Sequence, residues 1–249
     1  MSGHSKWSQI KRQKGVADVK RGAVFSRLTN AIIIAAKNGG DPNSNFTLKM
    51  AIEKARSENM PKENIERAIK SGTGKFGGAA IEEVLYEAIG PQNIGIIIEA
   101  ATDNKNRTTS EVKNILTKFG AKLAGNGAVS YQFNKMGKIL IDMTGRDRDE
   151  VELLAIDAGA QDFDEHGKVL AVYTKANELK MVKETLENQN IVIKEAILSW
   201  EPQNTLEISD KNEAHRILNL MQSLEEYEDI TNIYSNFDIK EEHLENTGN

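Results

Sequence analysis

A tryptophan stands among small and basic residues at the start of this chain, in Ser2-Gly3-His4-Ser5-Lys6-Trp7. An indole flanked by cations, with no apolar neighbours to pack on, suits stacking on an exposed base or lying along a sugar edge. Its competing use is as a staple that holds the segment onto the helices that follow. Behind it come Lys11, Arg12, Lys14, Lys20, Arg21 and Arg27. These are point charges and guanidinium forks for phosphate oxygens, contacts that position a nucleic acid without reading its sequence. Through residue 75 the chain carries +9, and the remaining 174 residues carry −14, within a total of −5. A chain so polarised has a cationic end that meets something anionic, and phosphate backbone is the densest such partner. A solvated basic tail is the plainer alternative.

A second constellation is Asp103-Asn104-Lys105-Asn106-Arg107-Thr108, placed where a strand gives way to a helix. Backbone N–H groups and the helix N-terminus point toward an anion at such a junction, and Arg107 and Lys105 would add charge. A turn capped by its own Asn side chains is the alternative. A third is the run Gly120-Ala-Lys-Leu-Ala-Gly125-Asn-Gly127, whose glycines permit a sharp turn or a close approach to a partner.

Catalysis finds little support. His4, His166, His215 and His243 are scattered, and there is no Cys, so neither a metal site nor a thiolate nucleophile is predicted. No G-x-S-x-G, P-loop or HExxH motif occurs. Gly72-x-Gly74-x-x-Gly77 imitates a dinucleotide fingerprint but follows a helix and precedes a strand, the reverse of what that motif needs. The acidic groups Glu82/Glu83, Asp147/Asp149/Glu150 and Glu225/Glu226/Glu228/Asp229 read as solvated faces. The expectation is therefore a protein with no catalytic residues, cofactor, metal or small-molecule substrate. The absence of Cys and of any apolar run near the ~20 residues of a membrane span predicts a cytoplasmic protein without membrane contact.

The elements that would position these residues follow from periodicity. Residues 1–22 form a basic flexible arm. Val24, Leu28, Ala31, Ile32 and Ala35 recur at helical spacing, as do Leu48, Ala51, Ile52 and Ala55, and then Ile65, Ala68 and Ile69 after Pro61. These three helices make a bundle over 23–77. Strands at 81–89 and 94–101, a helix from about Thr108 and a strand at 129–133 leave a β-β-α-β set that is not closed by itself. A complete β-α-β-β-α-β series over 135–200 is ferredoxin-like. A short strand near 206–208, a helix from about Asn212 and a strand at 230–234 supply the αβ that the first set lacked. The predicted fold class is thus α+β: a three-helix domain plus two ferredoxin-like domains. One, at 135–200, is inserted in a middle domain of 78–134 plus 201–240, and an acidic tail covers 241–249.

Taken together, the start Gly3-His-Ser-Lys-Trp7, Phe25-Ser-Arg-Leu28, Gly39-Gly-Asp-Pro42, Asn59-Met-Pro-Lys62, Ile65-Glu-Arg-Ala-Ile-Lys70, Tyr86-Glu87, Gly90-Pro91, Asp103-Asn-Lys-Asn-Arg-Thr108 and Tyr131-x-Phe133 resemble the YebC/PmpR family. Its mitochondrial relatives include the translational activator of cytochrome c oxidase. The resemblance runs nearly the whole chain. It implies three domains in a non-enzymatic factor, described for bacterial members as a DNA-binding transcriptional regulator. The alternative it implies is a ribosome-associated translation factor that relieves stalling at consecutive prolines, and a protein–protein adaptor is a third reading. The partner is accordingly nucleic acid, either duplex DNA or ribosomal RNA. This chain departs from the family pattern at Asn30-Ala31, at Asn45-Phe46-Thr47-Leu48-Lys49 and at Ala88-Ile89. The helical domain is thereby less basic than the pattern, which moves the expected contact onto the arm.

Overall fold

The computed structural model describes residues 21–74 and 81–239. Three helices open the described chain: α1 (Arg21–Ala36), α2 (Phe46–Ser57) and α3 (Lys62–Gly72). Asn45 caps α2, accepting from Leu48 N at 3.0 Å, and its amide donates to the Ala35 and Gly39 carbonyls at 2.7 Å each. One side chain thus starts α2 and closes the end of α1, a use of Asn that its short amide makes possible. Pro61 stands at the N-cap of α3, immediately before its first turn. Gly72 lets α3 lie directly on α1. A methyl there would collide with the Ile33 carbonyl and sit 2.7 Å from Ala36 Cβ.

The first sheet follows the helices: β1 (Glu82–Ile89) and β2 (Gly95–Thr102), then α4 (Lys105–Lys118) and β3 (Lys122–Ala124). It is completed by α7 (Lys211–Glu226) and β9 (Ile230–Ser235) from the far end of the chain. Strand order is β3-β1-β2-β9, with all three neighbouring pairs antiparallel. α4 and α7 cover one face through Val112, Leu116, Ile217 and Met221, packed on Ile96 and Ile98. α1 packs against β2 and β9, and Asn30 donates to the Ala101 carbonyl at 3.4 Å. Lys37 likewise reaches the Ile81 carbonyl. β2 is therefore buried on both sides, which is why it reads as a continuous apolar run rather than an alternation. A short parallel pair, β8 (Leu206–Ile208) with β10 (Phe237–Ile239), adds Phe237 and Ile239 to the same core.

Between β3 and β8 the chain builds β4 (Phe133–Asp142), α5 (Arg148–Ala158), β5 (Asp162–His166), β6 (Val169–Lys175), α6 (Leu179–Asn188) and β7 (Ile193–Pro202). Sheet order is β5-β6-β4-β7, the ferredoxin-like arrangement. Among the described residues the chain divides into two compact units, 134–201 and the remainder. The fold is α+β, a helical bundle followed by two ferredoxin-like antiparallel sheets, as the sequence predicts.

Several boundaries differ from those expected. α4 starts at Lys105, three residues before Thr108, because Asn104 and not a Thr hydroxyl caps it. The strand expected at 129–133 is a 3-10 turn at Ser130–Gln132. The edge strand lies earlier, at Lys122–Ala124, inside the glycine-bearing run. The alternation of Val129, Tyr131 and Phe133 imitates a strand. In the fold the Val129 and Ser130 N–H groups donate to a side-chain carboxylate instead of to a neighbouring strand.

Candidate nucleic-acid interface

At the α4 N-terminus, Asn104 Oδ1 accepts from Arg107 N at 3.1 Å, and the Asn104 N–H donates to Thr102 Oγ1 at 2.9 Å. The Arg107 guanidinium donates to Asp103 at 2.8 Å and to Asp229 at 3.2 Å. Asp229 is the centre of this cluster. One of its carboxylate oxygens accepts from Thr108 Oγ1 at 2.6 Å, Tyr227 OH at 2.9 Å and Thr102 Oγ1 at 3.2 Å as well. Burial pushes the Asp229 carboxyl up, but the hydrogen bonds of Thr108, Tyr227 and Arg107 outweigh it and hold the group ionised below the ordinary aspartate range. Arg107 is raised further, first by its hydrogen bond to Asp229 and then by Tyr227 and Asp103. Asp229, expected on a solvated acidic face, is only 6% exposed. It is buried because the carboxylate docks the start of β9 onto the end of β2 and the first turn of α4.

The glycine-bearing run holds a second carboxylate of the same kind. Glu87, in the middle of β1 and 3% exposed, accepts from Gly127 N at 2.7 Å, Val129 N at 2.5 Å and Ser130 N at 2.8 Å. Burial raises its pKa, and the three backbone N–H groups more than reverse that, so it too lies below its ordinary value. Gly127 adopts φ +83, a conformation that favours glycine. Sequence reasoning missed this clasp. The available signal was an acid in the buried half of a strand, with a glycine turn two strands' reach away.

The remaining candidates are dispersed. Lys105 is exposed in the first turn of α4, beside Arg107. Arg27 is half-buried on α1, and Arg21 begins that helix. Lys6, Trp7, Lys11, Arg12, Lys14 and Lys20 lie outside the described residues, as does the acidic tail. On the helical bundle Lys54 and Lys62 pair with Glu58 and Glu66 at 3.5 and 3.6 Å, while Arg56, Arg67 and Lys70 are exposed with no acidic partner among the described residues. No group of three His, Cys, Asp or Glu among the described residues is placed to hold a metal. No described helix is long and apolar enough to cross a membrane.

Helical bundle, interrupted α+β sheet and contiguous ferredoxin-like sheet together define a three-part architecture that known proteins share. The family profile described as "TACO1/YebC protein N-terminal domain" matches residues 5–75, and that described as "TACO1/YebC second and third domain" matches 81–237. The chain belongs to the TACO1/YebC family. It is 45% identical over 247 residues to a "probable transcriptional regulatory protein" of Thermoanaerobacter pseudethanolicus, covering 98% of this chain and 100% of that one. It is 44% identical over 246 residues to a protein of the same description from Desulfotalea psychrophila, covering 98% of each. Among solved structures it is similar to a conserved hypothetical protein of Aquifex aeolicus, at TM-score 0.84 and 41% identity. That match covers 90% of this chain and 94% of that one.

Proposed function

We propose that this chain is a non-enzymatic regulator of gene expression that works in the cytoplasm by gripping a nucleic-acid backbone through its basic N-terminal arm. The charge division carries the reading: +9 through residue 75 against −14 beyond it. The structure supports it by elimination. The anion site that the sequence offers at 103–108 is filled by the chain's own Asp229, and the N–H groups of the glycine-bearing run are taken by Glu87, which turns the reading toward the basic arm. Lys6, Lys11, Arg12, Lys14, Lys20, Arg21 and Arg27 contact phosphates and Trp7 stacks, with Lys105 and Arg107 at most at the periphery. The relatives' description as transcriptional regulatory proteins favours duplex DNA as the target.

A second reading, binding to ribosomal RNA as a translation factor, is favoured by the acidic body. A surface of −14 is repelled from a duplex lying open beside it but not from an RNA cleft that admits only the arm. Competition between ribosomes and generic duplex DNA at several salt concentrations decides between them. The partners are compared for the full chain and a Lys11/Arg12/Lys14/Lys20→Ala variant. The variant is expected to lose affinity and to flatten the log–log salt slope by about three to four, near one unit per phosphate contact removed. Binding that survives in the variant with a weak salt slope would make the protein an adaptor instead.

A further inference from the structure

The loop between β3 and β4 has a property the arm does not explain. Tyr131 is 69% exposed, the most exposed large apolar side chain among the described residues. Its surroundings are nevertheless fixed. Glu87 holds the N–H groups of Gly127, Val129 and Ser130. Gln203 donates through its side chain to the Tyr131 carbonyl at 3.1 Å and through its backbone to the Gln132 carbonyl at 2.8 Å. Gln132 Nε2 reaches the Tyr131 hydroxyl at 3.3 Å, and Asn236 steadies Gln132 at 3.0 Å. The backbone on both sides is thus fastened while the ring stands in water. Ahead of it, Gly125 and Gly127 have open space where a Cβ would be, so the loop offers bare backbone to whatever approaches. An aromatic presented in advance avoids much of the ordering cost of binding.

Charge says what approaches. Between Glu111 and Asp142 the chain contains no acid and five lysines: Lys113, Lys118, Lys122, Lys135 and Lys138. Within a portion of net −14 this stretch of the sequence is positive, and Lys113, Lys118 and Lys122 belong to the same compact unit as the loop. Lys113, Lys118, Lys122 and Lys135 are exposed, whereas Lys138 is buried against Glu201. An exposed ring on a stiff, acid-free loop with lysines before it is the arrangement that stacks an unpaired base while neighbouring phosphates are neutralised. A paired base inside a duplex has no free face to offer.

We propose that the 125–131 loop is a second nucleic-acid contact, in which Tyr131 stacks on an unpaired base and Lys118 and Lys122 meet flanking phosphates. This rests on the nucleic-acid reading above and refines its target toward strands with exposed bases. The test uses the full chain, a single-stranded oligoribonucleotide carrying 2-aminopurine, the deoxy version of that strand, and the corresponding duplex. Tyr131→Ala is expected to weaken single-strand binding roughly tenfold and to abolish the stacking-induced quenching of 2-aminopurine, with duplex binding and the salt slope unchanged. Tyr131→Phe should retain both affinity and quenching. Lys122→Ala should lower the salt slope by about one without loss of quenching. A ribose preference in the wild type that disappears in neither Tyr131 variant assigns RNA as the source; equal binding of the deoxy strand assigns exposed bases of either kind, and both outcomes keep the stacking contact.

If Tyr131→Ala binds like the wild type while the arm variant fails, the loop contact is overturned and the arm reading stands. If the wild type binds no strand at all, the nucleic-acid reading falls and takes the loop with it. Equal losses on single strand and duplex, or a Phe variant as impaired as Ala, would overturn stacking on an unpaired base. The 69% exposed side chain makes misfolding of these variants a small risk, and an unchanged thermal midpoint checks it.

Discussion

The two α+β sheets each have four strands, ordered differently and closed by different means. In the 134–201 unit, strands taken in chain order lie second-third-first-fourth across the sheet, and one continuous stretch of chain makes all of it. In the other, β3-β1-β2-β9, they lie third-first-second-fourth, with the first hairpin at the centre, and β9 arrives only after the whole 134–201 unit. Bringing β9 back closes a loop of more than a hundred residues, and such closure carries an entropic cost that a contiguous sheet avoids. The interrupted sheet carries three buried polar clasps at its long-range joins. Asp229 ties the start of β9 to β2 and α4, and Asn236 accepts from Gly95 N at 2.8 Å. Glu87 holds the chain where it leaves for the inserted unit. Polar networks of this kind, fully satisfied, specify one arrangement more sharply than apolar contact alone.

If that contrast is right, Asp229→Ala is the substitution that breaks it. It removes a buried acceptor from Thr108, Tyr227 and Arg107 together, and an expected loss of about 3 kcal/mol follows from leaving buried donors unsatisfied. Hydrogen exchange should show faster opening of amides in β2, β9 and α4, with those in 134–201 unchanged. Uniform acceleration in both units would mean that the two share one cooperative transition and that the clasp is not specific to the interrupted sheet.

Glu87→Gln is the milder probe of the same idea. The amide keeps one carbonyl acceptor but turns an NH2 group toward backbone N–H donors, at a cost of about 2 kcal/mol. The loss should appear first as exchange at Gly127, Val129 and Ser130. Because the loop also carries Tyr131, this variant should weaken single-strand binding as well, which distinguishes it from Asp229→Ala.

Acid sharpens the contrast without mutation. Both Glu87 and Asp229 have folded pKa values below their ordinary ones. Each therefore contributes stability that is fully present above the ordinary carboxylate pKa and is lost as pH falls through the lowered folded value. Thermal midpoints of the wild type should be flat near neutrality and fall below about pH 4, and the fall should be shallower in Glu87→Gln and in Asp229→Asn, each of which has lost one titrating clasp. Identical slopes in all three proteins would show that other groups govern acid unfolding.

Much of this fold was legible in the chain because local signals coincide with local structure. The faces of α1, α2 and α3, the run of β2 and the βαββαβ series all follow from periodicities that their own burial then realises. The clasps were not legible, because their meaning depends on partners far away in sequence. Asp229 is 121 residues from Thr108, and in sequence it sits among Glu225, Glu226 and Glu228 like one more solvated acid. Glu87 is 43 residues from Ser130. The polar block at 103–108 reads as a strand-to-helix junction, and the helix begins within it, at Lys105. Its chemistry could be read toward an external anion only because the internal carboxylate that fills it was not visible from nearby residues.

The smallest expected effect belongs to the contiguous unit. Asp142, at the end of β4, accepts from the Thr144 hydroxyl and N–H at 2.7 and 3.0 Å and pairs with Lys194 at 3.1 Å, contacts that lower its pKa from 3.8 to about 2. These contacts are solvated and lie within a local turn and one neighbouring strand, so Asp142→Asn should leave the midpoint of the 134–201 unit nearly unmoved at neutral pH. Any difference that does appear must be present above pH 3.8 and vanish as pH falls through about 2, since the wild-type carboxyl is then protonated too. A loss in Asp142→Asn as large as that in Asp229→Ala would mean that a carboxylate clasp matters equally in both sheets. The contiguous unit has its own buried carboxylate, Glu201, paired with Lys138 at 3.5 Å between β4 and β7, so the contrast lies in what each clasp joins and not in one sheet lacking any.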